Sequence, residues 1–228
     1  MTSRLHFADA GEAADLAAFL ARLIHYDKAA AVRLQAAGDT LAVFGRPPSF
    51  EVLVVRTARL AKPYEHGIDT ALDVTVSAGE FLECVGESAE SLESAGVADV
   101  PEAVTGPPWA GVLPPRGGWR PEPGLPAPDA VRSLVKQAVA EFRARVEELP
   151  AERRVRAELD RLGREIWSRP VGDTELPVRA AHAAQTLGFL RGEALTLLSA
   201  GAWLRLRTAY GSVAVRRAGA SGLSVTPA

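Results

Sequence analysis

The chain has 228 residues, 47% of them apolar and 24% charged, with a net charge of −2. That is the balance of an ordinary globular protein with one large or two small domains. It gives the whole molecule no electrostatic case for nucleic acid, and no stretch is apolar enough to span a membrane. The one cysteine, Cys84, excludes an intramolecular disulfide and a cysteine-based zinc cluster, and the start MTSRLHFADAGE lacks the basic-then-apolar pattern of an export signal.

Arg4–Ala8 alternates in polarity and predicts an edge strand. Asp9 stands three residues before Glu12, a capping-box spacing, and Leu16, Phe19, Leu20, Leu23 and Ile24 then form the stripe of an amphipathic helix over residues 11–26. Ala31–Ala36 and Thr40–Phe44 alternate about Gly38-Asp39, which predicts a hairpin. Phe50–Leu60 contains the apolar run Val52–Val55 of a strand buried on both faces. A loop is expected at Lys62–Thr70, then a strand at Leu72–Ser77. Ser77 and Glu80 open a short helix with Phe81, Leu82 and Val85, and 86–100 reads as a loop or weak helix.

Residues 101–128 divide the chain. They hold nine of its sixteen prolines and two of its four tryptophans, Trp109 and Trp119. No helix or central strand can pass through so many prolines. Beyond them, Asp129 is placed to cap a helix running to Leu149. A second helix is expected over 151–168 with Val155, Leu159, Leu162 and Ile166 inward, and a third from Pro177. Leu195–Leu198 is apolar. Trp203–Thr208 and Ser212–Arg217 form a hairpin about Tyr210-Gly211, and the tail after Ala218 is expected to fray.

The predicted class is α+β: an antiparallel sheet with helices, a proline-rich belt, a helical segment and a C-terminal β-hairpin. An isolated hairpin is marginal, so this one is expected to join the first sheet and make 1–228 a single integrated domain: a strand-rich half at 1–100, the belt, then 129–228. The stretches LHFADAGEAADLAAFLARLI, AVRLQAAGDTLAVFG, SFEVLVVRTARL and LDVTVSAGEFLECV give residues 4–86 an element order that resembles one module of a DNA sliding clamp. The resemblance implies a clamp-like fold and association with nucleic acid.

Charge is unevenly spread: −7 over residues 1–150 and +5 over 151–228. The asymmetry can mark a binding face, or two halves that attract each other. The lysines are only Lys28, Lys62 and Lys136; with abundant Ala, Gly and Pro this arginine bias points to a GC-rich bacterial coding sequence. Candidate binding residues are Trp109, Arg116, Trp119 and Arg120 in the belt, where an extended peptide or apolar ligand could lie, and Arg205 and Arg207 on one face of the hairpin. Three helices followed by a hairpin over 130–217 also fit a winged helix, with 178–188 as recognition helix and the two arginines on phosphates. His6, His25, His66 and His182 are scattered without metal spacing, and Cys84 is expected in the core. No catalytic residue, metal site or cofactor is assigned. The expected protein is cytoplasmic and non-catalytic, an interaction or regulatory protein with a protein partner or a second copy. Nucleic-acid association is the alternative and a small-molecule enzyme the third reading.

Overall fold

The computed structural model describes residues 3–48, 50–61, 72–90 and 96–217. The expected loop at 62–70, His66 and the tail after Ala218 lie outside the described residues. Helix α1 (Ala10–Tyr26) starts at Asp9, whose carboxylate accepts the Glu12 backbone N–H at 2.9 Å. Leu16, Phe19, Leu20 and Leu23 are buried along it. Strands β2 (Ala31–Ala37), β3 (Thr40–Gly45), β4 (Leu53–Arg59) and β5 (Asp73–Ser77) form the first half of the sheet. Helix α2 (Ala78–Glu90) packs beside α1, with the Glu80 N–H on Ser77 Oγ at 3.4 Å.

One expectation fails in the first half. The stretch 86–100 is not merely loop or weak helix, because α2 runs through Glu90 and a further strand, β6 (Val97–Asp99), pairs antiparallel with β1 (Arg4–His6). The partners lie more than ninety residues apart in sequence, beyond the reach of local periodicity.

After the belt come β7 (Arg120–Pro121), α3 (Pro128–Glu148), α4 (Arg156–Trp167), α5 (Val178–Thr186), β8 (Leu195–Ala200), β9 (Trp203–Thr208) and β10 (Gly211–Arg216). Asp129 is not the cap of α3. The helix begins at Pro128, and Asp129 sits in its first turn, ion-paired with Arg132. Nor does Val155 point inward: it precedes α4 and is 52% exposed. A short 3₁₀ turn at Ala151–Arg153 intervenes, and Arg154 turns back to donate to the carbonyls of Leu149 and Glu147 at 2.9 and 2.8 Å, satisfying the end of α3.

The eight-stranded sheet runs β5-β2-β3-β4-β10-β9-β8-β7. The halves meet where β10 pairs with β4 through Ser212↔Val55, Val213↔Val54 and Ala214↔Leu53. Beneath that seam, Phe19 of α1 stacks on Phe189 at 5.8 Å. Gly211 has φ +148, and a Cβ there would fall 2.6 Å from the Phe189 ring, so only glycine fits. Arg56, 8% exposed, spans the seam: Nη1 donates to the Tyr210 carbonyl at 2.8 Å and Nη2 pairs with Asp15 at 2.9 Å. A second bridge is a run of rings. Trp167 stacks on His182 at 4.7 Å, His182 meets Phe50 at 5.2 Å, and Phe50 meets Tyr26 at 6.3 Å.

This architecture rules out the winged helix. The hairpin is interior to the sheet, flanked by β4 and β8. The supposed recognition helix α5 lies against β10 and α3, burying Val178, Ala180, Ala181, Ala183 and Ala184, and so does not stand out from the body to enter a groove. Opposite charges do join the acidic residues before 150 to the basic ones after it, as in Arg169–Glu141, Arg145–Glu165 and Arg217–Glu122. Among the described residues none of these pairs reaches the strand-rich stretch 1–100, whose ion pairs are internal, as in Arg59–Glu12.

Candidate binding surface

Helices cover one face of the sheet, where Leu204 and Leu206 are 1% and 0% exposed. Alternation sends Trp203, Arg205 and Arg207 to the opposite, outer face. Register extends that face across the strands. One row reads Leu53–Ala214–Arg205–Leu198–Pro121, and the next Arg33–Phe44–Val55–Ser212–Arg207. Phe44, Leu53, Val55 and Ala214 are at most 8% exposed although they face away from the main core. The belt crosses this side. At the first edge Ala103 bridges to Val76, and the Val104 N–H donates to the Thr75 carbonyl at 2.9 Å. Arg33 Nη1 then donates to the Ala110 carbonyl at 2.6 Å. Trp119 lies against Arg205 of β9, and β7 finally pairs with β8 at the far edge. Prolines suit such a path because their missing N–H groups need no strand partner.

Of the sequence-predicted site residues, Trp119, Arg205 and Arg207 come together. The Trp119 indole N–H donates to the Pro115 carbonyl at 3.0 Å, and its ring lies 5.6 Å from the Arg205 guanidinium. Arg205 Nε donates to Ser212 Oγ at 2.8 Å. Burial, and then the charge of Arg207, lower the pKa of Arg205. Neither arginine forms an ion pair among the described residues. Beside them Arg216 lies over the Trp203 ring at 5.3 Å. The sequence shows the Trp203–Arg205–Arg207 alternation. Arg216 joins only through the strand register, Arg216↔Trp203.

The remaining candidates sit elsewhere. Trp109 is half-buried in a 3₁₀ turn over Pro108–Gly111 and lines a groove of about 420 Å³ with Asp27, Arg46 and Val104. Neither tryptophan is a fully buried plug. Arg116 is exposed near Asp73, whose carboxyl is held low chiefly by the Arg33 hydrogen bond. Arg120 pairs with Ser199, in the row of inward-facing Leu204, and so leaves the Trp119 cluster. Cys84 is half-buried rather than a core residue, and burial pushes its thiol pKa up. Among the described residues no three His, Cys, Asp or Glu side chains group as metal ligands, and no helix is long and apolar enough to cross a membrane.

Two helix-backed halves sharing one antiparallel sheet make a fold similar to that of bacterial DNA polymerase sliding clamps. The Helicobacter pylori beta clamp in complex with 5-chloroisatin is similar over 94% of this chain and 63% of that one, with TM-score 0.52 and 10% identity. The beta subunit of DNA polymerase from Streptococcus pyogenes is similar over 95% and 64%, with TM-score 0.52 and 9% identity. The sliding clamp from Caulobacter crescentus is similar over 100% and 69%, with TM-score 0.50 and 12% identity. The likeness therefore includes the second half as well as residues 4–86, and this chain spans 63–64% of the length of the first two clamps. Residues 1–111 match the family described as "Domain of unknown function (DUF8010)" and residues 114–220 match "Domain of unknown function (DUF8185)". The matches meet inside the belt. No curated protein matches the chain.

Proposed function

We propose that the chain is a non-catalytic interaction scaffold on a clamp-like fold, one integrated unit whose outer face binds an acidic, extended segment of a partner protein. The observation that carries this reading is the Trp119–Arg205–Arg207 cluster. Two arginines on alternate residues of one strand have backbone positions about 6.6 Å apart along it. Among the described residues they have no ion-pair partner, and one is desolvated against an indole. A guanidinium stripped of water gains most from a carboxylate that can take two of its N–H groups, and Arg205 has only its Nε committed. Carboxylates on alternate residues of an extended peptide match that spacing. The sheet edges favour recognition by a face rather than by strand addition: Ala103–Val104 cover β5, and Pro121, which has no N–H, closes β8.

The second reading is nucleic-acid association, favoured by the likeness to sliding clamps. One titration separates the two. Fluorescence anisotropy is measured with an extended peptide carrying Glu at alternate positions, and with single- and double-stranded DNA, using wild-type protein and Arg205→Ala/Arg207→Ala. The peptide should bind and lose about tenfold or more in the double variant. DNA binding with a steep salt dependence, and no response to the peptide, would move the assignment to nucleic acid.

A further inference from the structure

A second surface lies on the opposite side of the sheet and plays no part in the outer-face reading. Between α3 and α5 runs a solvent-facing groove of about 500 Å³. Val135, Val139 and Ala140 line it from α3, His182 and Thr186 from α5. Arg132 stands at one end, already held by Asp129, Glu193 and the carbonyls of Leu190 and Gly192. Lys136 and Arg143 stand along the rim, both exposed and neither ion-paired among the described residues. They are seven residues apart on one helix, about 10.5 Å along its axis, with Val139 and Ala140 between them. Two free cations a heptad apart over an apolar floor are the complement of a helix with carboxylates at the same spacing and apolar residues between them. A nucleic-acid backbone would meet only two free cations in that length and would gain nothing from the floor. We propose that this groove docks an acidic amphipathic helix of a partner protein, its apolar side on Val139 and Ala140 and its carboxylates on Lys136 and Arg143.

The test uses the full chain and a labelled alanine-based helical peptide of about twenty residues. The peptide carries two Glu seven positions apart with Leu at the third and fourth positions between them. It should bind at moderate salt, and a scrambled peptide of the same composition should bind at least about tenfold more weakly. Lys136→Glu/Arg143→Glu changes only exposed side chains. The variant should keep its circular dichroism, lose the Glu peptide by about tenfold or more, and gain a version with Lys in place of Glu. Arg205→Ala/Arg207→Ala should leave this binding unchanged, so failure here and failure of the outer-face reading are distinguishable. Equal binding of the scrambled peptide would overturn the proposal, as would indifference to Lys136→Glu/Arg143→Glu. A DNA duplex that binds tighter than the peptide and is lost in that variant would assign the groove to nucleic acid. A dimer that dissociates in the variant would make the occupant a second copy, presenting the exposed Glu80, Glu83 and Glu87 of α2.

Discussion

Helices close one face of the sheet, and a proline-rich strap closes the other. On the helix side, long apolar residues such as Leu34, Leu41, Leu197 and Leu206 are fully or almost fully buried. On the strap side the apolar residues are sparser and the gaps are filled by Arg33, Arg205, Trp119 and Trp203. A helix covers a sheet with all its backbone groups satisfied internally, so it can lie flat on an apolar layer. A strap must satisfy its carbonyls from the sheet below, which is why arginines stand on that face: Arg33 donates to Ala110. The first face gives stability; the second combines cover with polar groups within reach of a partner.

That contrast can be broken in several ways, the most drastic first. Removing the hairpin by truncation after Gly201 deletes the strand that joins the halves, β10, and exposes the buried edge of β4. The product should be insoluble or unfolded, and a soluble chain with unchanged circular dichroism would show the halves to be independent. Next, Leu41→Ala on the helix face should cost about 2–5 kcal/mol in urea unfolding, as for fully buried leucines. Trp109→Ala on the strap side should cost less, about 1–2 kcal/mol, because that ring is only partly buried. Equal losses would mean that the strap packs as tightly as the helices. The integrated-unit proposal expects one cooperative transition and no rapid proteolysis between Gly106 and Gly124; two transitions, or two stable fragments cut in the belt, would divide the chain there.

The smallest effect concerns pH. Burial lowers the His182 pKa, so the folded state resists protonation that the unfolded chain accepts. This group's contribution to stability is therefore complete above about pH 6.5, its ordinary value, and declines as the pH falls below it. His182→Phe, which keeps a ring between Trp167 and Phe50, should flatten the stability loss between about pH 6.5 and 5. An unaltered acid slope would place the loss on other groups.

What could be read in advance follows from sequence separation. The α1 stripe with its Asp9 cap, the β2–β3 hairpin and the β9–β10 hairpin are all fixed by residues within a few positions of each other. β8 is a run of six, LTLLSA, whose identity as a strand depends on β9 on one side and the belt on the other. The winged-helix pattern and the true arrangement are locally identical; they differ in whether Val213 meets Val54. Proline content excluded a helix from the belt but could not say which face it would cross. For the same reason Arg120 and Arg207 looked equivalent, although register places them in different rows. Arg56 is the opposite case. An arginine in the stretch RTAR gives no hint that it spans the seam, since its partners are Asp15 and the carbonyl of Tyr210.

The position of β10 has a consequence for synthesis. The last described strand lies in the middle of the sheet, and Val55 must wait for Ser212. Until that residue has left the ribosome exit tunnel, β4 has an open row of N–H and C=O groups beside the apolar stretch Leu53–Val55, an invitation to aberrant pairing. The nascent N-terminal half therefore remains adhesive until β10 emerges, and closure of the sheet is a long-range event.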